Sequence, residues 1–86
     1  MKIFKFTAPW CGQCKVLSKK LEKFDACEIV SFDVEEEENE PLIEKYNIKN
    51  LPLLVLVNDK DEEVKRWCGI VDANEIKKEI GILEND

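Results

Sequence analysis

The chain has 86 residues, enough for one small domain, so a two-domain enzyme is excluded. Apolar residues make up 44% and charged residues 37%, with three Gly and three Pro, which is the balance of a globular chain and not of a disordered or collagenous one. Nineteen Asp and Glu against thirteen Lys and Arg leave a net charge of −6 with no Lys/Arg cluster in the sequence to offset it, which argues against nucleic acid or an anionic membrane as partner.

Ile3 to Thr7 is short, aromatic and β-branched and predicts a strand, which Ala8-Pro9-Trp10 breaks. Val16, Leu17, Leu21 and Phe24 then recur at helical spacing with Lys15, Lys19, Lys20 and Lys23 on the other side, so residues Cys11 to Phe24 are expected as an amphipathic helix with a solvated lysine face. Glu28 to Val34 predicts a second strand. The acidic run Glu35 to Glu38, with Glu40, lacks the glycine and the ligand spacing of a hard-metal loop and reads as a solvated loop. Asn39 is placed as the N-cap of a short helix whose apolar stripe is Leu42, Ile43 and Tyr46. Leu51 to Val57, apolar apart from Pro52, predicts a strand buried on both faces. Asn58 to Glu62 is a polar turn into a further strand, Glu63 to Cys68, and these two strands are expected to pair as an antiparallel hairpin. Asp72 with Glu75 fits a capping box, Ile76, Ile80 and Leu83 form the stripe of the last helix, and Gly81 is expected to end it. The order is βαβαββα, in a single domain over residues 1–86.

There is no histidine, which removes His-based triads, imidazole proton shuttles and His zinc ligands, so chemistry must come from Cys, carboxylates or Lys. Residues Met1 to Trp10 show no continuous apolar region of the signal-peptide kind, and no later run approaches the roughly 20 apolar residues of a membrane span. The expected compartment is therefore the reducing cytoplasm, where cysteines are catalytic, metal-bound or buried more often than bridged. Of the four cysteines, Cys11 and Cys14 form a Cys-x-x-Cys at a strand-to-helix junction. There the unpaired N–H groups and the positive end of the helix dipole favour an anion, so Cys11 is assigned as the nucleophile. Cys14, one turn on at a Cα separation on the order of 5–6 Å, is assigned as the resolving thiol. A zinc site would need two more ligands, from Cys27, Cys68 or carboxylates, and the two cysteines lack the paired spacing of a zinc ribbon. Cys27 reads as a small buried apolar residue.

Trp10-Cys11-Gly12-Gln13-Cys14-Lys15 resembles the W-C-G-P-C-K motif of the thioredoxin family. Leu51-Pro52 matches the family's cis-proline at the head of the next-to-last strand, and Gly69 matches its glycine after the last strand. The resemblance implies an α/β, three-layer fold lacking the family's N-terminal strand and helix: a four-stranded mixed sheet of order 2-1-3-4 with three flanking helices. It also implies a protein dithiol–disulfide oxidoreductase that binds no cofactor and draws electrons from NADPH through thioredoxin reductase. Its partners would be disulfide-containing protein substrates and that reductase, and the chain would work as a monomer. The substrate groove would be lined by Trp10, Gly12, Gln13, Leu51, Pro52 and Gly69, with Cys68 on its rim. A glutathione-dependent, glutaredoxin-like reductase and a thioredoxin-fold binding subunit with idle thiols are the competing readings.

Three positions depart from the family pattern. Lys5 stands where many thioredoxins carry a buried Asp that accepts the proton of the resolving thiol, and Ser31 replaces that Asp's lysine partner, so Lys5 is a candidate catalytic residue in its place. Gln13 replaces the motif proline and adds no cation to hold a thiolate, so a reductant-like potential is expected.

Overall fold

A computed structural model describes residues 1–84. Its elements are β1 (Lys2–Thr7), α1 (Gly12–Lys20), β2 (Glu28–Asp33), a 3-10 turn (Glu37–Asn39) that runs into α2 (Glu40–Lys45), β3 (Leu53–Val57), β4 (Glu63–Cys68) and α3 (Ala73–Glu84). The four strands lie in the order β2-β1-β3-β4. β1 runs parallel to β2 and antiparallel to β3, and β3 and β4 form the antiparallel hairpin.

Side-chain alternation on the two central strands sets the layers. Ile3, Leu54 and Leu56 face one side, where Trp67 of β4, Leu17 and Leu21 and Ile76 and Ile80 of α3 close a core over them. Phe4, Phe6, Leu53, Val55 and Val57 face the other side, where Tyr46 joins them and Leu42 and Ile43 of α2 pack from outside. Because β3 is covered on both faces, all five of its residues are buried, as its uninterrupted apolar run predicts. Aromatic packing fills the second core: the Phe4 ring meets Phe32 edge-on at 5.3 Å and Tyr46 at 5.7 Å between centroids.

Local boundaries differ from the sequence expectations in ways that packing explains. α1 ends at Lys20 and not at Phe24; turns through Leu21 N–H to Leu17 O and Phe24 N–H to Leu21 O carry the chain on and keep both apolar side chains on the core. Val16 is exposed, since it lies about 100° around the helix from the buried Leu17. Gly81 falls inside α3, because Ile80 and Leu83 on either side of it hold the helix to the core. Asn39 precedes α2 without capping it and donates instead to the carbonyl of Asp33 at 2.8 Å. Asp72 accepts from the backbone of Asn74 at 3.3 Å, one residue earlier than a capping box requires. β3 begins at Leu53, leaving Leu51 and Pro52 as a lead-in joined by a cis peptide bond.

Tyr46 links three segments. Its ring is in the core, its hydroxyl donates to the carbonyl of Asp61 in the β3–β4 turn, and its own carbonyl accepts from the Arg66 guanidinium at 2.6 Å. Arg66 in turn donates to both carboxylate oxygens of Glu63, which holds that carboxyl below the usual range. Tyr46→Phe keeps the ring and removes one bond, so it is expected to cost about 1 kcal/mol in urea unfolding.

Candidate active site

The end of β1 delivers the chain into the turn Ala8-Pro9-Trp10, closed by Cys11 N–H donating to Ala8 O at 3.2 Å. Cys11 is the N-cap of α1, in extended backbone with φ −89° and ψ 105°, and its sulfur accepts the backbone N–H of Cys14 at 3.2 Å. The sulfur thus takes the place of the Ser or Asp oxygen of an ordinary cap, and negative charge on it meets a donor already in position. The first turn of α1 carries no acidic residue to oppose that charge. Cys11 and Cys14 are joined as a disulfide with Cα atoms 5.3 Å apart, inside the span expected from the spacing. Cys11 is 7% exposed and Cys14 1%, so a partner's sulfur can reach Cys11 and not Cys14.

Beside Cys11 opens a groove of about 440 Å³, walled by Trp10, Val34, Ile43, Ile48 and Leu51, with Lys49 and Asn50 completing it. Trp10 is 68% exposed, an unusual setting for a large apolar ring, and its indole N–H is held by Glu35 Oε2 at 3.1 Å. Leu51 also packs against the small cluster of Ala8, Cys11 and Cys14. Gly12 and Gln13 are exposed at the helix start. Pro52 is buried behind the groove and its carbonyl accepts from Gly69 N–H at 2.9 Å. Gly69 has φ +85°, a left-handed conformation that favours glycine, and so turns the chain back at the end of β4. Cys68 is exposed and opposite Leu53 in register; it lies outside the lining of the groove. Cys27 is half-buried against the first core, where burial foremost pushes its thiol up, the N-terminal ammonium pulling down and Glu84 and Glu28 adding to the rise.

Lys5 lies on the α1 side of the sheet, opposite Ser31 and Leu54. Its ammonium donates to Ser18 Oγ, one helical turn beyond Cys14. Burial pushes Lys5 below the ordinary lysine range. The unfolded chain therefore binds more protons than the folded one between that lowered value and 10.5, and stability rises with pH across this window. Lys5→Met removes the cost of the partly buried ammonium. Relative to the parent, the variant is expected to be most favoured near neutral pH and to lose its advantage as pH climbs toward 10.5, by urea unfolding at several pH values.

The groove wall contributed by Val34, Ile43 and Ile48, and the Glu35 carboxylate on Trp10, carry no local sequence signal, since 25 residues separate Trp10 from Glu35. Among the described residues no cluster of three or more His, Cys, Asp or Glu could hold a metal ion, and no helix is long and apolar enough to cross a membrane.

The thioredoxin family model matches residues 1–81. The chain is 33% identical over 91 residues to a protein disulfide-isomerase of Zea mays, covering 92% of this chain and 18% of that protein. It is 37% identical over 59 residues to thioredoxin of Bacillus subtilis, covering 63% of this chain and 55% of that one. A single-site variant of thioredoxin from Halobacterium salinarum superposes with a TM-score of 0.79 at 28% identity, covering 94% of this chain and 72% of that one. The chain belongs to the thioredoxin family. It spans less than a fifth of the length of the plant disulfide-isomerases it matches.

Proposed function

We propose that this chain is a protein dithiol–disulfide oxidoreductase that works in the reducing direction on disulfide-containing proteins. The observation that carries the reading is the Cys11 sulfur seated as N-cap of α1, bonded by Cys14 N–H and opening on an apolar groove. In the reduced protein the Cys11 thiolate attacks one sulfur of a substrate disulfide; the Cys11–substrate bond forms, and the other substrate sulfur leaves as a thiolate that takes up a proton. Cys14, deprotonated, then attacks Cys11 Sγ, releases the second substrate thiol and closes the Cys11–Cys14 disulfide. Two electrons have passed to the substrate. Trp10, Leu51 and the apolar wall hold the extended segment that flanks the substrate cysteine, and the backbone of Leu51 ahead of the cis bond is the part offered to it. Lys5, bonded to Ser18 on the helix that carries Cys14, is the candidate for assisting the resolving thiol, its ammonium favouring the Cys14 thiolate by charge.

The electron donor in this reading is thioredoxin reductase with NADPH, and the protein acts as a cytoplasmic monomer in electron transfer and redox homeostasis with no bound cofactor. Gln13 places no cation between the two cysteines, so the potential should lie nearer the family value of about −270 mV than the −120 mV or so of the strongly oxidising periplasmic members. Insulin-disulfide reduction driven either by NADPH and thioredoxin reductase or by glutathione and glutathione reductase tests the reading. Turnover in the first system is expected. Turnover only with glutathione would make the protein glutaredoxin-like, and turnover in neither would leave a binding subunit.

A further inference from the structure

The outer face of α1 is strongly basic in an acidic protein. The helix sequence holds Lys15, Lys19 and Lys20 and no carboxylate, Glu22 and Lys23 follow in the turn after it, and Lys77 and Lys78 lie on α3. The ion pairs of the described residues use the N-terminus, Lys2, Lys65 and Arg66, and leave all six of these lysines unpaired. Three of them, Lys20, Lys23 and Lys77, gather around one cleft of about 210 Å³ between the end of α1 and the start of α3, with Asp25 as the single carboxylate in its lining. The dipole of α1 accounts for Lys19 and Lys20 at its C-terminal turn. It does not account for Lys77, which stands in the second turn of α3, near that helix's positive end, and lines the same cleft as two other lysines. Such a cluster favours an anionic occupant.

The face is continuous with the redox pair. From Cys11 at the head of α1, the exposed Gln13 and Val16 lead along one side of the helix to Lys20 and Lys23. The nine residue steps from Cys11 to Lys20 correspond to about 14 Å of helix, the reach of four or five residues of extended chain.

We propose that this face docks an acidic polypeptide segment of the disulfide-bearing substrate, its carboxylates against Lys20, Lys23 and Lys77 while its disulfide meets Cys11; this rests on the function proposed above. The substrate is then held on both sides of the thiols, apolar flank in the Trp10–Leu51 groove on the α2 side of the sheet and acidic flank along α1. Sequence alone assigned these lysines to a solvated face; their convergence with Lys77 arises only through the packing of α3 beside α1.

The test uses disulfide peptides with three Asp or three Asn placed five residues from the cysteine, and a third with the Asp cluster beside the cysteine. At low salt the reduced protein is expected to act on the distant-Asp peptide with kcat/KM on the order of tenfold above the Asn peptide and above the adjacent-Asp peptide. The preference should collapse above about 0.5 M salt and in the triple variant Lys20→Gln/Lys23→Gln/Lys77→Gln, with the Asn peptide unaffected. A control, Lys45→Gln/Lys60→Gln, should keep it. Equal rates for the Asp and Asn peptides, or a preference that survives the triple variant, would overturn the proposal. If no peptide is reduced, the proposed activity fails, and docking is read instead from fluorescence anisotropy of a labelled, thiol-free Asp peptide. Binding that disappears in the triple variant upholds the docking face. No binding, or tighter binding of a single-stranded oligonucleotide or of a second copy of this chain, overturns it.

Discussion

Cys11→Ser is expected to lower disulfide turnover by about 1,000-fold or more, to the uncatalysed background, while Cys14→Ser should retain the first attack and stop there. The asymmetry follows from exposure and bonding. Cys11 is the sulfur a substrate can reach, and it is also the one that receives the N–H at the head of α1; Cys14 lies beneath it at 1% exposure and can attack only inward, toward Cys11. Serine at position 11 still caps the helix through its oxygen, so the fold should survive and the loss should be chemical. Mass spectrometry after mixing each variant with an oxidised peptide separates the two roles. Cys14→Ser should accumulate a one-to-one adduct on Cys11, and Cys11→Ser none at position 14. Adduct formation at the two positions to equal extents would remove the assignment of nucleophile and resolving thiol.

Phe6→Ala is expected to cost about 3–5 kcal/mol, the largest stability effect among single substitutions considered. Phe6 is fully buried on the central strand β1, stacks on Phe32 at 5.5 Å and shares its cluster with Tyr46 and three residues of β3. No neighbouring element can collapse into the space, because the cavity opens between two paired strands and α2, a helix of six residues with little slack. Small domains hold only about 5–15 kcal/mol in total, so urea unfolding should move to a much lower midpoint or lose its folded baseline. Tyr46→Phe in the same cluster provides the contrast, since it alters one hydrogen bond and no packing volume.

Most of the architecture was legible because the chemistry that writes it is local. Five apolar residues in a row at Leu53–Val57, bounded by Pro52 and a polar turn, suit a strand covered on both faces, and Cys-x-x-Cys between a strand breaker and an amphipathic stretch suits a helix start. What was not legible depends on contacts remote in sequence. The end of α1 is hidden in the sequence because the Leu17, Leu21 and Phe24 spacing persists through turns that are no longer α-helical. Gly81 favours termination by conformational preference alone, and the anchoring of Ile80 and Leu83 outweighs a cost of about 1 kcal/mol. At the site, the motif gave the two sulfurs and Trp10, while the wall of Val34, Ile43 and Ile48 and the Glu35 bond to Trp10 needed β2 and α2 to be folded over the thiols first. Lys5 stands out by its position before the motif, but the residue it bonds, Ser18, lies thirteen positions on and carries no local signal of that contact.

The most direct measurement mixes fully reduced protein with an excess of oxidised insulin, with no other reductant present, and follows both molecules by alkylation and peptide mapping. The account predicts that each chain removes one substrate disulfide and ends with Cys11 and Cys14 joined to each other, Cys27 and Cys68 still alkylated as free thiols. Insulin left oxidised while Cys11 and Cys14 stay reduced, or electrons drawn from Cys68 instead, would contradict it.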